Sequence, residues 1–202
     1  LNDLSEKSLQ IAAKNAEKEA VKLEATVHAN ALDITQHAAE GSFDIVLCLG
    51  PLYHLLRSDE RTQVIRNSIY AAKPGGYVVL AYVTVYAHLR DMARHDPARL
   101  SKEWDFYKGY LQSGVYTRKT SNESYHMYPA GLDRELEGLE GRAKVLKVVS
   151  AEGFLGFEGG RALAYLKEEE LERWVDVVMQ SAGDERTLNA SDHLVVVLQK
   201  TD

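Results

Sequence analysis

Five consecutive apolar residues, Ile45-Val46-Leu47-Cys48-Leu49, stand between Gly41-Ser42 and Gly50-Pro51 and present no polar face. A run of that length, bounded by turn residues, suits a strand covered on both sides, and such strands occupy the middle of a sheet flanked by helices. In open α/β sheets the carboxyl end of a strand borders the crevice where ligands bind. Here that end reads Gly50-Pro51-Leu52-Tyr53-His54. Gly50 lets the backbone approach a ligand closely, Pro51 stiffens the exit, and Tyr53 and His54 add two hydrogen-bonding side chains. The same residues equally suit a plain turn whose Tyr and His pack on a helix.

The flanking sequence repeats this rhythm. Leu1-Asn2-Asp3-Leu4-Ser5 reads as the end of a strand entering a helix, capped by Ser5 or Asp3, with Leu9, Ala12, Ala13, Ala16, Ala20 and Leu23 as its apolar stripe. Residues 25–29 form a short strand, and Asn30-Ala31-Leu32-Asp33 its exit loop. After the apolar run, Arg57 to Ala72 predicts a helix with Val64, Ile65, Ile69 and Ala72 inward. Lys73-Pro74-Gly75-Gly76 stops that helix and turns the chain into the apolar stretch Tyr77 to Val83. Strands alternating with helices in this way predict a Rossmann-like, mostly parallel α/β sheet. Residues 85–128 break the pattern: they hold most of the aromatics and no regular strand, and read as a lid or cap inserted in a single domain spanning 1–202. Helices are expected over Leu132 to Leu139 and Arg161 to Ser181, and strands over Ala143 to Ser150 and Leu194 to Leu198, the last closing the sheet as an antiparallel strand.

Composition narrows the partners. The net charge of −6 and the absence of any run of five basic residues make nucleic acid or an anionic membrane surface poor candidates. Cys48 is the single cysteine, which excludes an internal disulfide. With no signal-like or long apolar segment, it points to a reducing, cytoplasmic setting. The seven histidines are scattered and no metal-ligand spacing occurs, so no metal is expected.

The order of these pieces resembles the class I methyltransferases that use S-adenosylmethionine, in particular the UbiE-like small-molecule group. Four local patterns carry the resemblance: Asp3-Leu4-Ser5, Asn30-Ala31, Phe43-Asp44-Ile45-Val46 with Leu49-Gly50, and Lys73 to Gly76. The resemblance implies that the Asp3 carboxylate takes both ribose hydroxyls of the cofactor, a bidentate match for a vicinal diol, and that Leu4 lies against the adenine. Asn30-Ala31 stands where the family usually has Asp-Ala and grips the adenine edge; the amide oxygen can still serve the exocyclic amine. Carbonyls at Leu49 and Gly50 would meet the amino group of the methionine moiety. One departure is large. The family's glycine-rich loop, which follows its first strand and precedes the acidic residue, is not in this sequence, and a strand belonging upstream of Leu1 is expected between those ending at Asp3 and starting at Phe43.

Methyl transfer from a sulfonium is an in-line displacement, so alignment and exclusion of water carry most of the catalysis, and a base is needed only where the acceptor loses a proton. His54 is the first candidate for that base, Tyr53 its positioning neighbour, His126 the second candidate and His88 the third. Each also suits a packing or solvated role, and His193 suits local bonding. The aromatics of the lid suit either a cage for a cationic or planar acceptor or a small satellite core, the latter expected for Trp104 and Phe106. Two other readings stay open: a non-catalytic partner protein on a degenerate methyltransferase fold, and an NAD(P)-dependent oxidoreductase.

Overall fold

The computed structural model describes residues 1–117, 123–139, 141–156 and 163–201. The chain opens with β1 (Asn2–Asp3), α1 (Glu6–Lys18) and β2 (Val27–His28), and the two strands pair in parallel. Ser5 caps α1 by accepting from the Ser8 amide at 3.2 Å, and Asp3 Oδ1 accepts from the Ser5 amide at 2.7 Å. Both expected capping residues therefore take part. The helix ends where Ala20 adopts a φ of 53°. Of its expected stripe only Leu9 is fully buried; Ala12, Ala16 and Leu23 are half-buried, and Ala13 and Ala20 are exposed.

A second sheet carries the core. β3 (Phe43–Cys48) leads through α2 (Ser58–Ala71) into β4 (Ala72–Val83), parallel to β3. β7 (Ala143–Ser150) and β8 (His193–Lys200), named ahead of the elements between, complete the order β3-β4-β8-β7. β8 is antiparallel to both neighbours, so the last strand alone runs against the rest, as expected. Between the register pairs Phe43↔Ala72 and Ile45↔Tyr77, Asp44 faces four residues, Lys73 to Gly76, which loop out as a bulge. Gly75 there takes a φ of 73°, and a Cβ on Gly76 would stand 2.9 Å from the Asp44 carbonyl, which is why two glycines follow the proline. β1 pairs with β2, and among the described residues it does not pair with β3.

Side chains of β3 alternate. Val46 and Cys48 join Val78, Leu80, Tyr82, Leu194, Val196 and Leu198 against Val64, Ile65 and Ile69 of α2. Ile45 and Leu47, on the other face, are 57% and 63% exposed. The expectation of a strand buried on both sides is thus corrected: α2 and the residues around Leu132 and Leu139 all pack on one face. A continuous apolar run fits both arrangements, and periodicity alone does not separate them. Cys48 itself is 5% exposed, and burial pushes its thiol up to about 11. Its labelling by a thiol reagent is expected to keep pace with global unfolding; labelling in the native protein at the rate of a free thiol would mean that the inner face is misassigned.

Residues 85–128 are more regular than the sequence suggests. They form α3 (Val85–His95), α4 (Arg99–Lys102), α5 (Trp104–Ser113) and a hairpin of β5 (Val115–Tyr116) with β6 (Ser124–Tyr125); residues 118–122 of the polar run lie outside the described residues. Val85, Met92, Tyr107, Tyr110 and Tyr116 make a second core with Phe106 packed against it, whereas Trp104 is 49% exposed. The satellite core therefore takes Phe106 but not Trp104. Gly114 ends α5 at a φ of 70°, and a Cβ there would overlap the His126 carbonyl, so glycine is what lets β6 approach. Further on, α6 (Leu132–Glu135) is shorter than expected. α7 (Glu168–Ala182) starts later than expected, with residues 157–162 outside the described residues, and α8 (Glu185–Leu188) follows it.

Candidate cofactor and acceptor site

The carboxyl ends of β1 and β2 bring Asp3 and Asn30 side by side, because Asp3 is in register with His28 and Asn30 lies two residues further on. Asp3 is exposed, and with Oδ1 taken by the Ser5 amide, Oδ2 has no protein partner among the described residues. Leu4 is 67% exposed, and its carbonyl is held by His28 Nε2 at 2.9 Å, so an apolar side chain stands unpacked beside the carboxylate. Asn30 begins a 3-10 segment, Ala31–Gln36; its Oδ1 accepts from the Leu32 amide at 3.0 Å and its carbonyl from the Asp33 amide at 2.9 Å. Buried Asn67 of α2 donates to the carbonyls of Ala31 and Leu32 at 3.3 and 2.8 Å, and Gln63 fixes its orientation at 2.7 Å. The amide oxygen expected at the adenine edge is therefore already engaged in the turn.

At the carboxyl end of β3, Leu52 is fully buried and anchors a loop whose other residues are more open. A Cβ on Gly50 would meet nothing within 4 Å, so the backbone there is approachable. Tyr53 donates its hydroxyl to the Leu49 carbonyl at 2.8 Å; burial, aided by Cys48, holds the phenol above its ordinary range and keeps it a donor. Tyr53 thus orients one of the carbonyls assigned to the cofactor. His54 is exposed, its ring 4.9 Å from that of Tyr53, with no hydrogen bond to either ring nitrogen among the described residues. It is sterically able to accept a proton from a bound molecule.

Sequence reasoning missed what locks this loop. Arg61 of α2 donates through Nε and Nη2 to Glu135 at 2.8 and 2.7 Å, and through Nη1 to the carbonyls of Leu55 and Leu56 at 3.0 Å each. Its guanidinium lies 3.5 Å from the centre of the Tyr125 ring, and the Tyr125 hydroxyl donates to the same Glu135 at 2.9 Å. One buried cation therefore ties the loop after β3 to β6 and α6. The signal was present: Arg61 falls one helical turn before Val64 and Ile65, on the inward face of α2.

His126 lies beside the carboxyl end of β4, its amide bonded to the Gly114 carbonyl. Met127, next to it, is bonded to the Val83 carbonyl at the end of β4. Both His126 nitrogens are engaged, Nδ1 with the Tyr110 hydroxyl at 2.8 Å and Nε2 with Ser124 Oγ at 3.0 Å. Burial, then the nearby His88, pushes the imidazole down to about 4. His88 lies between the rings of Tyr107 and Tyr116, its Nε2 3.3 Å from the Tyr107 hydroxyl. A buried neutral histidine lets the unfolded chain bind a proton that the folded chain refuses. Stability attributable to His126 is therefore present above pH 6.5 and lost as pH falls toward 4, by about 2 kcal/mol after allowing for partial solvent contact. Urea unfolding between pH 7 and 4.5 should show that slope, and His126→Gln should flatten it; an unchanged slope would contradict the assigned burial.

At the neighbouring edge of the sheet, Glu152 accepts from the amides of Asp192 and His193 at 3.2 and 3.0 Å and pairs with the His193 ring at 2.5 Å. His193 therefore bonds locally, as expected. Buried Thr84 donates to the Ser191 carbonyl at 2.7 Å and caps α3, fixing the exit of β4. Among the described residues there is no group of three or more potential metal ligands and no helix long and apolar enough to cross a membrane.

The residues at these strand ends fit the nucleoside half of S-adenosylmethionine: a carboxylate with an oxygen to spare, an apolar side chain beside it and a primary amide two residues past the next strand. Gly50 leaves room where the methionine half would meet carbonyls. Residues 1–76 match a family described as a methyltransferase domain. No curated protein matches. Among solved structures, a SAM-dependent methyltransferase from Methanosarcina mazei is similar with a TM-score of 0.59 at 15% identity, over 99% of this chain and 80% of that one. An S-adenosylmethionine-dependent methyltransferase from Clostridium acetobutylicum gives 0.56 at 11%, over 100% and 74%. An N-methyltransferase from Bradyrhizobium japonicum, in complex with S-adenosyl-L-homocysteine, gives 0.51 at 10%, over 100% and 65%. Residues 1–76 thus carry the match to a methyltransferase domain, and the chain as a whole shares the fold of these S-adenosylmethionine-dependent methyltransferases.

Proposed function

We propose that this chain methylates a small-molecule acceptor, with Asp3 on the cofactor ribose, Leu4 and Asn30-Ala31 on the adenine, and the carbonyls of Leu49 and Gly50 toward the methionine amino group. The cofactor supplies an electrophilic methyl group. His54 takes the proton of the acceptor where one is lost, and Tyr53, through Leu49, holds the carbonyl end of the site. Residues 85–128 form the cover, with the His88 and His126 rings packed inside it and not presented to the acceptor. The observation that supports this reading is the exposed Asp3 carboxylate beside the Asn30 amide at the carboxyl ends of the parallel pair β1-β2, with the exposed His54 imidazole, free of hydrogen bonds among the described residues, just past the carboxyl end of β3 in the second parallel pair, positions where α/β sheets bind ligands. The net charge of −6 supports a small acceptor over a nucleic acid, and the single buried cysteine supports a cytoplasmic setting.

Titration calorimetry with S-adenosylhomocysteine and with NADH tests the reading. Binding of the first alone supports it, binding of NADH points to the oxidoreductase alternative, and binding of neither points to a non-catalytic role.

A further inference from the structure

We infer that Asn30 makes the cofactor site permissive at the purine 6-position, so that the chain binds S-inosylhomocysteine, the deaminated 6-oxo analogue, nearly as well as S-adenosylhomocysteine. This rests on the proposed placement of Asn30 at the purine edge and goes beyond it, because it concerns which chemical group Asn30 presents there.

The orientation of the amide is set by the turn. Oδ1 accepts from the Leu32 amide at 3.0 Å, and Nδ2 makes no hydrogen bond within the described residues. Reversing the amide would aim its N–H groups at the Leu32 N–H, donor against donor, and the turn would lose its cap. Nor is the turn free to move away. The Asn30 carbonyl is held by the Asp33 amide, and Asn67, itself 4% exposed, bonds the next two carbonyls from α2. The outward group at this position is therefore a donor.

A carboxylate here would cap the same turn with one oxygen and present the other outward, as an acceptor only. It would take a hydrogen bond from the 6-amino group of adenine and be repelled by the oxygen of a 6-oxo purine. The amide instead presents N–H, which bonds adenine at the ring acceptor N1 and a 6-oxo purine at O6. Neither base leaves the Asn30 donor unpaired, and discrimination built on an unpaired polar group is lost.

The test is calorimetric titration of the full chain and its Asn30→Asp variant with both homocysteine nucleosides. Asp is as good a cap as Asn, so the variant keeps the turn, and its unchanged far-UV dichroism and melting temperature check this. The expected result is affinities within about threefold of each other for the native chain, and a preference for the adenosyl form of tenfold or more, roughly, for Asn30→Asp. A native preference of about tenfold or more for the adenosyl form overturns the inference while leaving the cofactor reading intact. If both ligands bind and Asn30→Asp changes neither affinity, Asn30 does not face the purine and the inference falls with that placement alone. If the native chain binds neither ligand, the cofactor reading itself falls and takes the inference with it.

Discussion

Arg61→Ala is expected to destabilise the protein by about 3 to 5 kcal/mol, the largest single-residue effect predicted for this chain. The side chains of Arg61 and Glu135 are 4% and 9% exposed, so the substitution leaves a carboxylate nearly out of water with only the Tyr125 hydroxyl to serve it. It also strands the carbonyls of Leu55 and Leu56, each worth about 1 kcal/mol or more when buried without a donor. Arg61→Lys should recover little, because an ammonium cannot reproduce a fork that meets two carboxylate oxygens and two carbonyls together. The double variant Arg61→Met with Glu135→Met should be milder than Arg61→Ala, since no charge is left behind. Urea unfolding of the three variants checks this. A loss below 1 kcal/mol for Arg61→Ala would show that the pair is solvated and that the loop bearing His54 is held by Leu52 alone.

The parallel core was legible because its signals are local. Bounded apolar runs marked β3, β4 and β8, and the spacing of Val64, Ile65, Ile69 and Ala72 marked α2. What failed was anything that depends on a distant neighbour. The run from Ile45 to Leu49 looks the same whether one face is covered or both, and the structure covers only that of Val46 and Cys48. The bulge at Lys73 to Gly76 was read as a turn; it is one, but counted against a single partner residue it becomes part of the strand ladder. The helices within 85–128 were missed because the segment was read for strand periodicity and aromatic content rather than for helical spacing. In α5, Tyr107 and Tyr110 stand three residues apart and are as buried as the aliphatic core, and in α3, Val85, Leu89 and Met92 keep α-helical spacing, so the two helices pack their inward faces into one cluster.

For the site, residue type past a strand end singled out Tyr53 and His54, the methyltransferase resemblance singled out Asp3 and Asn30, and the fold puts each of them at or just past a strand end. Hydrogen-bond partners were not legible. Tyr53 turns back onto Leu49, Asn30 spends its oxygen on Leu32, and His126 has both nitrogens occupied. Each of these facts depends on the orientation of one side chain against a backbone atom, which spacing does not encode. Of the three histidines considered as bases, His88 and His126 have hydrogen-bonded rings, and His54 has none among the described residues.

Asp3→Ala is expected to weaken binding of S-adenosylhomocysteine by about 2 to 4 kcal/mol, the worth of two charge-assisted hydrogen bonds to the ribose diol. The geometry permits both: Oδ2 has no partner among the described residues, and Oδ1, although it accepts from the Ser5 amide, keeps a second lone pair. That amide bond gives Asp3 a structural role as well, since Ser5 in turn caps α1 through Ser8, so the alanine variant should also lose about 1 kcal/mol of stability. Asp3→Asn separates the two roles. Its oxygen can retain the Ser5 bond, while its amide nitrogen replaces an acceptor with a donor and removes the negative charge. The asparagine variant should therefore unfold like the native chain and still bind the cofactor product more weakly than the native chain does, by about 1 to 3 kcal/mol. Calorimetry on the three proteins at one ionic strength decides it. Equal affinities, with only the alanine variant melting earlier, would make Asp3 a turn residue and move the ribose contact elsewhere.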